Sequence, residues 1–330
     1  MWHARVFVIT ILFAFVDQNR ARIRRKKFML KKALLAGINQ YPEKDLRLWG
    51  CVNDARQMRE TLMALFGFAP DDIHMLLDRE ATKKNIETGL KWLAGGGGDQ
   101  AVRIFHFAGH GFSKPDRNGD EPDGADEALA PYDFVQNGFL VDDALKKQYA
   151  RFPKNGNLTL IMDCCHSGTI QRDPVQDIRY RFIHNSYEER KAIIRARKKF
   201  TKDQQGYVMT ALADLRGKRI VDDELQQRVQ EAMHKFEKQR FGGDFKLREG
   251  NVLLAACHSA QSAADAKIGR DYHGAFTYYL VKILRGRQGR ITYRELIEKT
   301  GEALHAHDYK QIPQLECDRG REKARLFAAF

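Results

Sequence analysis

Two short apolar runs, Val102–Ala108 and Leu158–Asp163, constrain this chain more than any other feature, because each ends abruptly in a polar tip bearing glycine. Val-Arg-Ile-Phe-His-Phe-Ala reads as a strand and stops at Gly109-His110-Gly111. Leu-Thr-Leu-Ile-Met-Asp reads as a strand buried on both faces and stops at Cys164-Cys165-His166-Ser167-Gly168. As adjacent parallel strands, the two runs deliver both tips to one sheet edge, where open α/β folds place their sites. His110 and Cys165 then meet.

That pairing has a chemical reading. A free thiol is mostly protonated at neutral pH and becomes a strong nucleophile when a nearby imidazole favours the thiolate. His110 is the candidate base, and the candidate acid for a leaving amine. A side chain at position 111 would crowd a bound substrate, whereas the bare N–H of Gly111 can point at a developing oxyanion. The amides of Gly111 and Cys165 are therefore the expected oxyanion hole.

From residue 29 onward, strand-like and helix-like segments alternate without an internal repeat, which predicts an α/β fold with a doubly wound, mostly parallel sheet. The best strands are 33–38, 103–108, 158–163 and 251–256. Helices fit 53–66, 82–93, 222–240, 273–285 and a segment opened by Thr292, with Glu295 as its capping-box partner. Gly95–Gly98 lacks the lysine of a phosphate loop and reads as a helix stop.

Phe107-Ala108-Gly109-His110-Gly111 and Asp163-Cys164-Cys165-His166-Ser167-Gly168 resemble the histidine and cysteine motifs of the caspase-like peptidases, above all the metacaspases. The 55 residues from His110 to Cys165 suit that family as well. The resemblance implies a three-layer α/β/α sandwich and a cysteine endopeptidase. It makes Cys165, directly before His-Ser-Gly, the nucleophile, Cys164 a packed neighbour and His166 structural. Gly50-Cys51-Val52-Asn53-Asp54-Ala55 is similar to the segment whose aspartate lines the S1 pocket, and Asp163 matches the pocket's second acid. Two carboxylates in one pocket repel unless a cation lies between them, which favours Arg or Lys at P1. Ala108 and Cys164 stand where many metacaspases carry serine, a departure that could alter the S1 lining. Asp54 also reads as a first-turn acid on a helix with the apolar stripe Val52, Ala55, Met58, Leu62 and Leu65, and the two readings are compatible. Further similarity lies in Met29–Asn39, Asn251–Cys257, Ser262–Ala266 and Gly274-Ala275-Phe276.

A net charge of +13 first suggests nucleic acid, but residues 1–32 carry +8 and 172–202 carry +6, leaving the remainder at −1. These segments read as an arm and a loop rather than a basic face, so nucleic acid is not the expected partner. The rival reading is a caspase-fold interaction module that binds nucleic acid or a protein through them; the retained His110, Gly111 and Cys165 argue for chemistry instead. Expected partners are protein substrates with exposed Arg or Lys, and an upstream activating protease or regulator. The basic loop carries Arg179, Arg181, Arg190, Lys191, Arg195, Arg197, Lys198 and Lys199, where the resemblance implies a processing loop, so the chain is expected to cut itself within 179–199. Arg190, Lys191, Arg195, Arg197, Lys198 and Lys199 are the candidate sites. A solvated helix, with Glu188 and Glu189 ahead of the basic residues, is the other reading of that loop.

No apolar run reaches the roughly 18 residues of a membrane span. Five cysteines without zinc-type spacing favour reduced thiols and a cytoplasmic setting. The apolar run Val6–Val16 leaves secretion open, although the basic cluster Arg20–Lys27 follows it without an Ala-x-Ala site. Residues 1–28 read as an extension or pro-segment before a peptidase domain over 29–330, with the basic loop inserted at about 172–202. The chemistry needs no cofactor. Calcium as an activator is implied by the resemblance, with Asp126, Asp142, Asp143 and Asp173 as candidate ligands. Asp126 reads equally as part of a solvated acidic loop, and Asp142 and Asp143 as a helix start. Zinc on His106, His110, Cys164, Cys165 and His166 is disfavoured, because adjacent ligands rarely reach tetrahedral geometry.

Overall fold

Alternating apolar strands and amphipathic helices within Lys31–Phe330 build around a six-stranded sheet whose strands lie in the order Gln314–Cys317, Val252–Ala255, Asn157–Asp163, Val102–Ala108, Lys31–Gly37 and Ile73–Leu77. The computed structural model describes residues 29–98, 101–115, 125–153, 157–165, 178–183, 250–257 and 261–327. Strands β1 (Lys31–Gly37), β2 (Ile73–Leu77), β3 (Val102–Ala108), β7 (Asn157–Asp163) and β9 (Val252–Ala255) run parallel, and β12 (Gln314–Cys317) is antiparallel at the edge. All seven residues of β3 and of β7 are buried, which is why both read as nearly continuous apolar runs. The expected strands are all present, within two residues at either end.

Helices cover both faces. Helix α1 (Cys51–Phe66) packs Ala55, Met58 and Leu62 against one face, with α4 (Ala275–Gly286) and α5 (Tyr293–His305) beside it. On the other face, α2 (Lys83–Ala94) contributes Ile86, Leu90 and Leu93, and α3 (Asp142–Tyr149) contributes Leu145 and Tyr149. Thr292 caps α5 in the expected capping box with Glu295, whose carboxylate accepts from Thr292 N at 2.9 Å. The expected helix 222–240 lies outside the described residues. The helix stop after α2 has a second use. Gly96, Gly97 and Gly98 all take positive φ, and the buried Arg103 guanidinium donates to the carbonyls of Gly96 and Gly98.

Two small antiparallel sheets stand at the strand tips. One joins β4 (Gly111–Pro115), β5 (Ala125–Leu129) and β6 (Leu140–Val141); the other joins β8 (Ile178–Tyr180), β10 (Ala264–Ile268) and β11 (Asp271–Gly274). Among the described residues no helix is long and apolar enough to cross a membrane.

Candidate active site

Register brings the two motifs together. Ala108 pairs with Asp163 across β3 and β7, so His110 and Cys165, each two residues further on, leave adjacent strand ends. Both are buried, at 3% and 0% exposure. The His110 Nε2–H donates to the Leu46 carbonyl at 2.7 Å, which fixes the tautomer and leaves Nδ1 as the basic nitrogen. Tyr41 braces the same residue: its hydroxyl accepts from His110 N at 3.0 Å and donates to the Ala130 carbonyl at 2.9 Å. Burial, with the Arg181 cation as a lesser cause, lowers the His110 pKa to about 4, against the opposing pull of the Leu46 carbonyl. The imidazole is therefore neutral at pH 7, the form a base requires.

The backbone N–H groups of Gly111 and Cys165 converge on one oxygen, the carbonyl of Arg181, at 2.9 and 3.1 Å. Two N–H donors on one oxygen is an arrangement that can hold an oxyanion. Position 111 tolerates no side chain, because a Cβ there would collide with the Cys165 backbone carbonyl. The Ala263 N–H points at the Cys165 sulfur. Cys257 has its thiol held well above the usual range, by its hydrogen bond with Cys165 and by burial.

Beside this centre lies a buried cluster of acids. Asp54, in the first turn of α1, is fully buried and accepts from Gly274 N at 2.9 Å. Asp163, at the end of β7, accepts from Thr277 N at 3.1 Å and Thr277 Oγ1 at 2.6 Å. Asp265, on β10, is a third carboxylate; it accepts from Trp49 N at 2.7 Å and Gly50 N at 2.9 Å. All three hold the Arg181 guanidinium, at 2.6 Å from Asp54, 3.2 Å from Asp163 and 2.9 Å from Asp265. Burial raises the Asp163 pKa to about 6, against the opposing pull of the Arg181 cation. Gly274 permits the close approach, since a Cβ there would meet Asp163 Oδ2 and the Arg181 guanidinium. Buried Cys51 adjoins the cluster: desolvation raises its thiol pKa, and Arg181 and the three acids all act on it.

The expected pocket residues Asp54 and Asp163 are thus brought together, with Ala108 buried beside Asp163 in the strand register. Two participants carry no signal in the local sequence, the Leu46 carbonyl and Arg181 as the cluster's cation; Asp265 lies in the family-like segment Ser262–Ala266 but has no pocket role among the sequence expectations. The reading of Arg181 as one residue of an exposed basic loop is corrected, because its side chain is 0% exposed; a carboxylate cage reached only through tertiary folding outweighs the local charge pattern. Arg179 stacks on Trp49, 3.8 Å from ring centroid to guanidinium carbon, and donates to the Arg47 carbonyl. Cys164 is a buried neighbour, as expected. Arg190, Lys191, Arg195, Arg197, Lys198, Lys199, Asp173 and His166 lie outside the described residues, and the side chains of Asp126, Asp142 and Asp143 are not among those described. Among the described residues no group of three His, Cys, Asp or Glu side chains is placed to hold a metal ion.

Residues 31–174 match the family described as the metacaspase, peptidase C14 domain. Metacaspase-1A of Aspergillus fumigatus is 31% identical over 300 residues, spanning 87% of this chain and 68% of that relative. Metacaspase-1 of Pyricularia oryzae is 29% identical over 303 residues, spanning 87% and 71%. Metacaspase-3 of Arabidopsis thaliana is 41% identical over 150 residues, 43% of this chain and 41% of that one. A solved structure of a Geobacter sulfurreducens protein shares the fold, with a TM-score of 0.58 at 22% identity over 91% of this chain and 99% of that one.

Proposed function

This chain belongs to the metacaspase family and is a cysteine peptidase of the caspase-like class, and we propose that it is an endopeptidase that cuts protein substrates after Arg or Lys. In the proposed cycle the Cys165 thiol gives its proton to His110 Nδ1, and the sulfur attacks the P1 carbonyl carbon. The oxygen takes the negative charge facing the amides of Gly111 and Cys165. His110 then protonates the departing amine and activates the water that hydrolyses the thioester.

One observation carries the specificity: Asp54, Asp163 and Asp265 converge on a guanidinium immediately beside the candidate nucleophile. Three carboxylates without a cation would be strongly unfavourable in a buried site, so the pocket selects positive charge. The five free cysteines suit the reducing compartment proposed for such an enzyme, the cytoplasm.

The test is hydrolysis of matched fluorogenic peptides ending in Arg, Lys, Gln or Asp, with calcium and with chelator, using Cys165→Ala as the blank. Turnover of the Arg and Lys peptides, lost in the blank, is expected. Equal turnover of the Asp peptide, or turnover by Cys165→Ala, would overturn the reading. Equal rates with calcium and chelator would remove Asp126, Asp142, Asp143 and Asp173 as activating ligands.

A further inference from the structure

His106 is a buried titratable side chain that the proposed cycle does not use. It lies on β3, two residues before Ala108, and is 0% exposed. Thr277, the third residue of α4 and equally buried, connects it to the acid cluster: the Thr277 hydroxyl donates to Asp163 Oδ2 at 2.6 Å and lies 3.3 Å from His106 Nε2. An ionised carboxylate has no proton to give, so the hydroxyl spends its one proton on Asp163 and accepts from the His106 Nε2–H. That fixes the tautomer, and burial keeps the ring neutral, its pKa lowered to about 4. His106, Thr277 and Asp163 thus form one directed chain of hydrogen bonds, with the Arg181 guanidinium at its end.

The donors on Asp163 are unevenly shared. Oδ2 takes the Thr277 hydroxyl, the Thr277 N–H at 3.1 Å and Arg181 Nη1 at 3.2 Å, whereas Oδ1, also buried, has no donor among the described residues. A buried acceptor without a donor is costly, so Oδ1 is the oxygen that gains most from an incoming cation. The Thr277 N–H belongs to the first turn of α4, whose cap residue Gly274 has no side chain to offer, and Asp163 takes that place from a neighbouring element. Helix capping accounts for the N–H contact. It does not account for the hydroxyl, nor for a buried imidazole placed behind it.

On the reading that this pocket takes Arg or Lys at P1, we infer that Thr277 and, through it, His106 are positioning residues for substrate selection: they hold the Asp163 carboxylate ionised on its Oδ2 side and leave Oδ1 open to the P1 cation. Neither touches the reacting atoms. The groups around Asp163 that carry charge or can gain it are Arg181, Asp54 and Cys51 of α1, Asp265 of β10, His106 and Cys257. Removing the Thr277 hydroxyl or the His106 ring changes no net charge above about pH 5, where His106 is already neutral. A shift in either variant is therefore a shift of Asp163.

The test is the pH dependence, between about pH 5 and 8, of the ratio of kcat/KM for matched Arg and Gln peptides hydrolysed by the full chain. Titration of His110 and Cys165 enters both rates and cancels. Thr277→Val loses a hydrogen bond to a charged group, so the midpoint of the ratio should rise by about 1–2 pH units, with the loss on KM rather than kcat. Thr277→Ser keeps the hydroxyl and should keep the wild-type midpoint. His106→Leu should move the midpoint the same way by less, and add nothing in the Thr277→Val background, because its effect passes through the hydroxyl. Urea midpoints over the same pH range read the shift without a substrate: the stability that Asp163 returns on acidification should set in about 1–2 pH units higher in Thr277→Val. A folded Thr277→Val with an unmoved midpoint in either measurement would overturn the inference. So would a Thr277→Ser that shifts as far as Thr277→Val, or a His106→Leu shift that adds in full to it. A wild-type Arg-to-Gln ratio near one at every pH would overturn the Arg or Lys specificity itself, whatever the urea midpoints show, and is a distinct failure.

Discussion

Asp54→Asn separates charge from shape in the proposed S1 pocket. The Asp54 Oδ2 accepts from Arg181 Nη2 at 2.6 Å and from Gly274 N at 2.9 Å, while Oδ1 lies 3.1 Å from the same Gly274 N and 3.4 Å from His273 Nδ1. An asparagine can keep its oxygen on the first two donors, so the variant removes the negative charge and the second, longer contact with Gly274 N. A hydrogen bond to a charged group contributes about 1.5–3 kcal/mol, against about 0.5–1.5 for a neutral one. The expected loss is therefore about 1–2 kcal/mol, or roughly 5- to 30-fold in kcat/KM for an Arg peptide. The loss should fall mainly on KM, because a carboxylate that meets the P1 side chain rather than the reacting carbonyl binds ground state and transition state alike. A matched Gln peptide should change little, so the Arg-to-Gln ratio falls. The assay is steady-state hydrolysis of both peptides by the purified full chain, with near-UV circular dichroism to establish folding. A folded Asp54→Asn enzyme with an unchanged Arg-to-Gln ratio would refute the claim that this carboxylate reads the P1 cation.

Gly274→Ala should harm Arg and Lys peptides alike, since its Cβ would press first on Asp163 Oδ2 and then on the Arg181 guanidinium. Overpacking of about 1–3 kcal/mol should lower kcat/KM for both, which hydrolysis of a matched Arg/Lys pair measures. Trp49→Ala should cost about 0.5–2 kcal/mol of stability, the range of the cation–π contact with Arg179, read as a shift of the urea midpoint. Stability should fall in mild acid. His106 and His110 have pKa values lowered to about 4 in the fold, in both cases chiefly by burial, so their contributions are intact above about 6.5 and are lost as pH falls toward 4. Asp163, raised to about 6 by burial, acts in the opposite sense and returns stability between pH 6 and 4. Two losses against one gain leave a net fall of about 3 kcal/mol over that interval, and Asp163→Asn should steepen it; urea midpoints at several pH values give the slope.

The candidate pair His110 and Cys165 is legible because it depends on short-range pattern. Buried parallel strands read as apolar runs, and their ends are marked by the glycines that the backbone there requires, most of all Gly111. The acid pocket was half legible. Asp54 and Asp163 sit in recognisable local segments, but Asp265 is joined to Arg181 across 84 residues and Arg181 to Asp54 across 127. Local charge pattern around Arg181 describes a solvated stretch, and only the tertiary cage reverses it. The Leu46 carbonyl illustrates a different barrier: a backbone acceptor has no residue identity to read, so an orienting group for His110 at that position is invisible until the chain is folded.

The three acids arrive from three places, the start of α1, the end of β7 and β10, and Arg181 is the group that ties them together. A cluster of like charges is a poor folding nucleus in a buried site, because each carboxylate raises the cost of ionising the next. A cation carried in the chain itself removes that obstacle at an effective concentration no diffusing substrate reaches. Arg181 offsets one of the three negative charges and leaves the others to the backbone and hydroxyl donors of Trp49, Gly50, Gly274 and Thr277. An external Arg or Lys at P1 therefore has to displace a cation that the chain itself supplies, and the proposed specificity depends on that exchange.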